Sequence, residues 1–320
     1  MTKAKTQGPK TARCFFGSRA SALLSLIYIL SAGASFIFFS DEIAHSVKSG
    51  LSLCAAVIIP SVFPFIIISD LLYYALDFTK LNLLNRIFER IFKISRSGAY
   101  AIALGFLCGF PLGVKCTRDL YAARAISKDE AERLIGFSNN TGPAFLVTGI
   151  GLGLRGNAYE GIALYCIMIF SAVIVGHLFS IGKKPCEAEP IIRERTFSLT
   201  ASIKNAGVST LAICSYLTFF ACLCGLLRKL LGETLLYISL LPFIEIGSSA
   251  SILSKTALLS RAESFALTSF AIGFSGFSVH LQALSFLQDT DIRAARYFIM
   301  KLLQGGISLV IAYPLYHLLF

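Results

Sequence analysis

The chain has 320 residues, of which 55% are hydrophobic and only 15% are charged, and its mean hydropathy is +0.72. Soluble domains average about 25% charged residues, whereas a membrane span requires about 20 apolar residues with few charges. The composition therefore predicts a polytopic membrane protein. It excludes soluble enzymes, nucleic-acid-binding modules and disordered scaffolds.

The formal net charge of +11 comes from basic residues at the ends of apolar runs rather than from one basic stripe. Excess Lys and Arg in short flanking segments marks the cytoplasmic side of a membrane. We therefore expect a cytoplasmic N-terminus and no nucleic-acid partner. One such group precedes the first apolar run: Lys3, Lys5, Lys10, Arg13 and Arg19. Another follows the second apolar run: Lys80, Arg86, Arg90, Lys93 and Arg96.

The nine cysteines and four histidines give no metal-binding or disulfide pattern. No two cysteines stand in CxxC spacing, and most of them lie in apolar runs, where a cysteine behaves as a small buried hydrophobe. We expect no metal site and no cofactor.

Residues 1–44 combine a basic start with the first apolar run. The small residues Ala32-Gly33-Ala34 resemble a signal-peptide cleavage site, but the run continues through Phe39 to the length of a full span. We expect an uncleaved anchor in the inner (cell) membrane.

Apolar elements then recur along the chain, and several are interrupted by Gly or Pro. At membrane depth a broken helix is tolerated only where the freed backbone is buried in protein or lines a cavity, so the breaks indicate where a site could lie. The apolar elements cover residues 20–40, 51–76, 98–114, 134–154, 159–181, 203–227, 234–252, 265–287 and 302–320.

Residues 81–94 mix apolar and basic side chains at helical spacing, which favours a helix lying in the cytoplasmic interface. The following element, 98–114, is bracketed by basic segments and is expected to dip into the membrane and return.

A polar linker, residues 183–200, divides the chain into a first repeat, 45–182, and a second repeat, 201–320. Residues 46–49 correspond to 202–205, and residues 134–138 correspond to 271–275. Counting crossings from a cytoplasmic N-terminus predicts that the two halves are inverted relative to each other. Gly- and Pro-interrupted segments in corresponding positions of two halves point to a transporter binding site.

The first cluster of interest spans residues 105–115. Pro111 lacks a backbone donor and kinks a helix, while Gly109 and Gly113 allow close backbone approach. A re-entrant hairpin and a kinked helix both fit. Lys115 could answer an anionic group or could extend to the interface.

The second cluster follows a capping-box helix start at residues 127–130. Asn139, Asn140 and Thr141 precede Gly142 and Pro143, and these amides and hydroxyls could present donors and acceptors to a polar solute. The alternative is a solvated loop between two short helices.

The third cluster surrounds Glu245, an acid within an apolar segment. A carboxylate there is costly, so a functional role is the default hypothesis, as a ligand for substrate, a proton or a sodium ion. The alternative is a structural ion pair with Lys204 or Lys255.

The fourth cluster contains Ser275, Gly276, Ser278, His280 and Gln282, which suit a second polar break. Residues 273–276 also resemble the GxSG pattern of rhomboid-type intramembrane serine proteases, with His317 as a candidate base. The internal repeat already accounts for residues 273–275 through 136–138.

The order of these motifs resembles the YlbJ family of sporulation integral membrane proteins, in the nucleoside-recognition (Gate-domain) superfamily. The residues that carry the resemblance are 109–115, 131–134, 138–140 and 276–282, and the likeness extends from about Ser46 to Gln304. The resemblance implies helical hairpins around a central polar site and a setting in sporulation.

We therefore expect an all-α polytopic membrane protein of two related, inverted halves with broken helices or re-entrant hairpins. The expected function is recognition and transport of a small polar, nucleoside-like solute, with no enzymatic activity. Alternatives are a non-transporting morphogenetic membrane protein and an intramembrane serine protease. The expected binding residues are Asn139, Asn140, Thr141, Ser275, Ser278 and Gln282, with Glu245 taking a coupling cation or a substrate hydroxyl.

Overall fold

A computed structural model describes residue 30 and residues 33–75, 82–184 and 198–320. Most of the predicted first span, 20–40, and most of the predicted linker, 183–200, lie outside these residues. The described residues form helices and connecting turns, with no strand among them. The prediction of an all-α fold is confirmed.

The helices differ in length in a way that separates full spans from shorter segments. Within the described residues, five helical stretches are long and apolar enough to cross a membrane, or six if a bent pair at 85–108 is taken as one span. From residue 40 onwards we number all α- and π-helices in chain order: α1 Ser40–Leu53, π1 Cys54–Ile58, α2 Ile59–Ala75, α3 Asn82–Phe92, α4 Arg96–Cys108, α5 Leu112–Ala122, α6 Lys128–Ser138, π2 Phe145–Leu154, α7 Ala158–Leu178, α8 Leu199–Leu231, α9 Leu235–Ile244, α10 Ile246–Leu253, α11 Arg261–Phe274, α12 Gly276–Leu287 and α13 Ala295–Leu319.

The second predicted span is longer than its apolar element. That element was placed at residues 51–76, but α1, π1 and α2 form one continuous helical run that begins at Ser40. Small residues allow α1 to pack closely on α8, since a Cβ on Gly50 would lie 3.1 Å from Thr218 Cα and 3.3 Å from Ala221 Cβ. Close approach through small residues is a common way for membrane helices to associate. The polar helix α1 is therefore packed against α8.

Helix α3 is the amphipathic segment predicted at 81–94. Phe92 is fully buried, whereas Arg86 and Arg90 are exposed. The axis turns by 98° between residues 85–92 and 96–108, so α3 runs across the direction of α4. This geometry suits a helix that lies in the interface.

Helices α4 and α5 form a hairpin that turns back at Gly109–Pro111. At the start of α4, the Ser95 backbone N–H and hydroxyl donate to Glu130 Oε1, at 2.8 and 2.7 Å. At the end of α5, the Tyr121 hydroxyl donates to Asp291, which also pairs with Lys128. Both ends of the hairpin therefore lie beside the start of α6.

The second half contains the same order of elements in the opposite direction. The long helix α8 leads to a hairpin, α9–α10, which turns back at Glu245, and then to α11 and α12, which are broken at Ser275. Arg228 near the end of α8 and Lys255 after α10 line one cleft with Leu154, four residues before the start of α7. Both ends of α4–α5 instead lie by the start of α6, which contacts the other end of α7 through Arg133 and Ser180, so the two hairpins start from opposite ends of the molecule. The halves are inverted in this sense. The residue boundaries of the two repeats stay a prediction.

One end of the molecule is joined by an ion cluster centred on Asp129, and we call it the Asp129 end. Asp129 accepts from Lys183, Arg296 and Arg133 at 3.0, 2.9 and 3.2 Å. Arg133 also donates to the Phe92 carbonyl oxygen at 2.8 Å. The cluster thereby joins the starts of α6 and α13 to the ends of α3 and α7.

The opposite end is joined by a second cluster, and we call it the Glu160 end. Glu160 is buried and pairs with Arg155 and with Arg261, the latter at 2.8 Å. Arg155 also donates to the Ser264 hydroxyl at 3.0 Å. These contacts tie the start of α7 in the first half to the start of α11 in the second.

Gly113 tests the close packing of the α4–α5 hairpin against the end of α6. A Cβ at Gly113 would lie 2.7 Å from the Ser138 carbonyl carbon, so we expect Gly113→Ala to lower the free energy of unfolding by roughly 1–3 kcal/mol. Gly207→Ala is the matched control, since nothing lies within 4 Å of its added Cβ. Thermal unfolding in detergent measures both variants, and equal melting temperatures would contradict the packing.

Asp129 gives a pH-dependent prediction. Partial burial opposes its ionisation, but hydrogen bonds from Arg296 and Lys183 outweigh burial and lower the pKa of Asp129 to about 2. Because the pKa of Asp129 is lower in the folded protein than in the unfolded chain, where it is about 3.9, the ionised carboxylate stabilises the folded state at pH values above about 3.9. This stabilisation is lost as the pH falls through about 2.

We therefore expect Asp129→Asn to be less stable than wild type above pH ~4, by no more than about 1 kcal/mol for this half-exposed group. The difference should shrink towards pH 2. Melting temperatures between pH 2 and 6 measure it, with Asp289→Asn, an exposed acid, as the control. A difference that does not change with pH would contradict the assignment.

Candidate functional site

The tip of the α4–α5 hairpin packs on the break between α6 and π2. Gly109 has φ of +76°, a backbone conformation that glycine adopts without strain. A Cβ there would lie 2.7 Å from Gly142 Cα, so the two backbones are in direct contact. The predicted breaks Gly109, Pro111 and Gly142 therefore meet, whereas Gly113 lies in the first turn of α5 and Pro143 begins the next helical stretch.

The second half repeats this arrangement. Ser275 and Gly276 have φ of +79° and +62°, and these two left-handed residues separate α11 from α12. A Cβ on Gly276 would lie 3.2 Å from Glu245 Cα, so the tip of the α9–α10 hairpin packs on this break. In each half, a hairpin tip thus contacts the break of the following helix.

Both hairpin tips, the first break and α12 contribute to one partly enclosed cavity. Cys108 and Phe110 come from the first hairpin, Thr141 and Gly142 from the first break, Glu245 and Ile246 from the second hairpin, and Ser278 and Gln282 from α12. Three phenylalanines from different elements form part of the wall: Phe65, Phe110 and Phe145. The cavity therefore has an aromatic part and a polar part.

Glu245 lies at the end of α9 and caps the start of α10. Its carboxylate accepts from the backbone N–H groups of Gly247, at 2.9 Å, and Ser248. In the described part of the chain it forms no ion pair, so the alternative of a salt bridge with Lys204 or Lys255 is not what the structure shows. The prediction placed Glu245 inside an apolar segment, and the structure interrupts the helix at this residue.

The other polar groups of the cavity have hydrogen-bonding capacity to spare. Thr141 Oγ1 is buried without a partner among the described residues. Ser278 and Gln282 are also buried, at 1% and 6% exposure, and line the cavity. Because an ionised carboxylate has about four lone-pair sites and Glu245 uses two for backbone bonds, acceptors remain there as well.

Three of the seven predicted binding residues lie outside the cavity lining. Asn140 Oδ1 accepts from Lys301 and Gln304, and its Nδ2 donates to the Phe137 carbonyl oxygen at 2.6 Å. Asn139 donates to the Tyr297 hydroxyl at 3.2 Å, and Ser275 donates to a carbonyl of its own helix at 3.4 Å. These side chains make internal contacts, and Thr141, Glu245, Ser278 and Gln282 are the predicted residues that the structure brings together.

Sequence reasoning missed Lys301, which is fully buried in α13. The last apolar element was predicted to begin at Leu302, one residue after this lysine, whereas α13 begins at Ala295. The signal was a polar stripe at spacings of four, three and four residues, which places one helical face towards the protein. The stripe consists of Tyr297, Lys301, Gln304 and Ser308, all buried.

The structure keeps Ser275 and His317 apart. His317 packs against Tyr313 and Tyr316, and Tyr316 packs against Phe265, near the start of α11. Ser275 follows Phe265 by ten residues along the helix, which is roughly 15 Å. The two residues do not form the serine–histidine pair that the protease reading requires.

A wide polar cleft, which we call the vestibule, opens at the Glu160 end beside the cavity. Leu53, Val57 and Ser248 line the vestibule. Ile58 and Ile246, which lie on the same helices as Val57 and Ser248, line the cavity together with Leu217, so the two spaces are neighbours. The vestibule also carries charged or titratable side chains from α1, α8 and the segments that flank α9 and α10, as expected for a water-filled cleft: Glu42, His45, Lys48, Arg228, Glu233 and Lys255.

Two leucines separate the vestibule from the cavity. A Cβ on Gly247 would lie 3.1 Å from Leu217 Cδ1 and 3.2 Å from Leu53 Cδ2, so both side chains close over the start of α10. We call Leu53, Leu217 and Gly247 the seal. It is thin, since residues 57 and 58 of π1 face the two spaces on either side of it.

The chain is similar to a curated protein and to a solved structure. No protein-family model matches the chain. The chain is 29% identical to the sporulation integral membrane protein YlbJ of Bacillus subtilis (strain 168), over 90% of this chain and 81% of that protein. A solved structure of CNTnw in the intermediate 3 state aligns with 93% of this chain and 85% of its own, at 14% identity and a TM-score of 0.48. The similarity to YlbJ supports the YlbJ-like resemblance and a multi-pass membrane protein.

The seal can be tested through Cys108, which lines the cavity. In a variant whose other eight cysteines are alanine, we expect a charged, membrane-impermeant maleimide to label Cys108 slowly. Replacing Leu53 and Leu217 by alanine should speed labelling by roughly tenfold or more, because opening of the site becomes easier.

Leu211→Ala is the matched control, since Leu211 lies on the same helix as Leu217 but is 69% exposed. Mass spectrometry of the labelled protein gives the rates. Equal labelling of the seal variant and the control would show that the two leucines do not separate the spaces.

Proposed function

We propose that this protein recognises and transports a small polar, nucleoside-like solute, bound in the cavity where the hairpin tips and helix breaks meet. The observation that carries the proposal is the convergence of Thr141 from the first break, Glu245 from the second hairpin tip, and Ser278 and Gln282 from α12. A site formed jointly by two inverted halves with broken helices is typical of secondary transporters. The proposal includes the nucleoside-recognition (Gate-domain) superfamily.

The chemistry of the cavity supports this class of solute. The Gln282 amide can donate and accept, the two hydroxyls can do both, and Glu245 can accept from a solute hydroxyl or hold a coupling cation. The phenylalanines offer apolar faces to a flat ring. A solute with a ring and several hydroxyl groups would satisfy both parts of the wall.

The charge distribution supports an orientation with the Asp129 end in the cytoplasm. That end carries the exposed Arg86 and Arg90 of α3 and the basic partners of Asp129, as the positive-inside rule requires. The vestibule would then face outwards, in the inner (cell) membrane. The name of the relative suggests sporulation as the setting.

Uptake into proteoliposomes tests the proposal. With a panel of nucleosides, we expect saturable uptake by the wild-type protein. Gln282→Ala should raise the KM of uptake by roughly tenfold, because one or two hydrogen bonds of about 1 kcal/mol each are lost. Glu245→Gln should reduce uptake by a similar factor or more.

Two variants serve as matched controls. Gln288→Ala removes an exposed amide just after α12, and Glu263→Gln keeps the capping side chain at the start of α11. Both should transport like wild type. No saturable uptake, or cavity variants equal to wild type, would contradict the proposal, and full rescue of a deletion strain by Glu245→Gln would favour the non-transporting morphogenetic alternative.

A further inference from the structure

A buried lysine lies at the break of the first half, outside the cavity. Lys301 has no exposed surface. Its Nζ donates to Asn140 Oδ1 at 3.1 Å and to Gln304 Oε1 at 2.9 Å. Gln304 in turn donates to the same Asn140 oxygen at 2.8 Å. The amide oxygens of two different helical elements therefore point at one ammonium group.

No carboxylate balances this charge in the part of the chain that the structure describes. The titratable neighbours are Tyr297, on the same face of α13, and His280 of α12, whose Nδ1 lies 2.9 Å from the Tyr297 hydroxyl. A charged side chain at membrane depth is costly unless acceptors surround it. The acceptors here are neutral amides, which are the ligands of a bound cation rather than the partner of a salt bridge.

The surroundings are rich in oxygen beyond these two contacts. Asn140 follows the C-terminus of α6, the helix end that favours positive charge. In the same break, Ser138 Oγ, Asn139 Oδ1 and Thr141 Oγ1 are buried and without a partner among the described residues. Among the described residues, Lys301 is the cation that contacts this break, and it is tethered to α13.

We infer that Lys301 is a tethered cation, and that the amide oxygens of Asn140 and Gln304 form a monovalent-cation site which the lysine ammonium fills. The wild-type protein accordingly needs no free cation at this break. Removing the lysine side chain while keeping its ligands creates a site for a small organic ammonium ion. The inference does not depend on transport, because it concerns binding to the protein itself.

Chemical rescue tests the inference. Lys301→Ala removes three methylene groups and the ammonium, which together match propylammonium. We expect the variant to melt at a lower temperature than wild type in detergent, and propylammonium to raise its Tm by about 2–4 °C at tenfold its Kd. Wild-type Tm should not respond.

Three controls separate charge from volume. Uncharged 1-propanol at the same concentration should give no such rise, and Lys301→Met, which fills the space without a charge, should not respond to propylammonium. Propanol rescue equal to that by propylammonium, or no rescue at all, would overturn the inference. The third control is tetramethylammonium, which cannot donate a hydrogen bond and should not rescue.

A second variant covers the case in which Lys301→Ala does not fold. Asn140→Asp replaces the amide that accepts from Lys301 by a carboxylate, and it also removes the hydrogen bond to the Phe137 carbonyl oxygen in any background. We therefore compare backgrounds: the change should lower Tm by several degrees more beside Lys301→Met than beside Lys301, because the buried carboxylate is paired with an ammonium only in the second case. An equal loss of Tm in both backgrounds would show that Lys301 is not a cation there.

Discussion

The fold depends on one constraint: backbone that leaves a helix at membrane depth must find its partners inside the protein. In the part of the chain that the structure describes, four such places pack against one another in pairs. Gly109 contacts Gly142 in the first half, and Gly276 contacts Glu245 in the second. Since each break covers another, the breaks cannot be spread over the molecule, and they lie together around one cavity.

Grouping the breaks also decides where polar side chains are tolerated. Charged side chains cluster at the Asp129 end, at the Glu160 end and in the vestibule, where water or opposite charges are available. A further group of buried polar side chains lies at the breaks, where freed backbone groups and side chains can satisfy each other. The ion clusters at the two ends then join the inverted halves, so the breaks between them are held in register from both sides.

The sequence predicts this architecture better than it predicts the roles of single residues. Glycine, proline and amide clusters mark the breaks because they respond to local backbone needs, and Thr141, Glu245, Ser278 and Gln282 were found in this way. Which side chain of a break faces the cavity depends on rotation about the helix axis and on the neighbouring helices. Asn140 is turned towards α13 and Thr141 towards the cavity, and no local pattern distinguishes them.

Lys301 was missed for a related reason, since a lysine beside an apolar run looks like the end of a span until the helix is seen to begin six residues earlier.

The two buried ionisable side chains follow a common rule that links the fold to its chemistry. Glu245 lies at the N-terminus of α10, where free N–H groups carry partial positive charge, and accepts two of them. Lys301 reaches the C-terminal side of α6, where free carbonyl groups carry partial negative charge. Each charge is thus stabilised by the helix end of opposite sign, and neither needs the other as a partner. A salt bridge between them would have filled the centre of the molecule. Separate stabilisation instead leaves the Glu245 carboxylate in the wall of the cavity, with lone pairs that a solute can use.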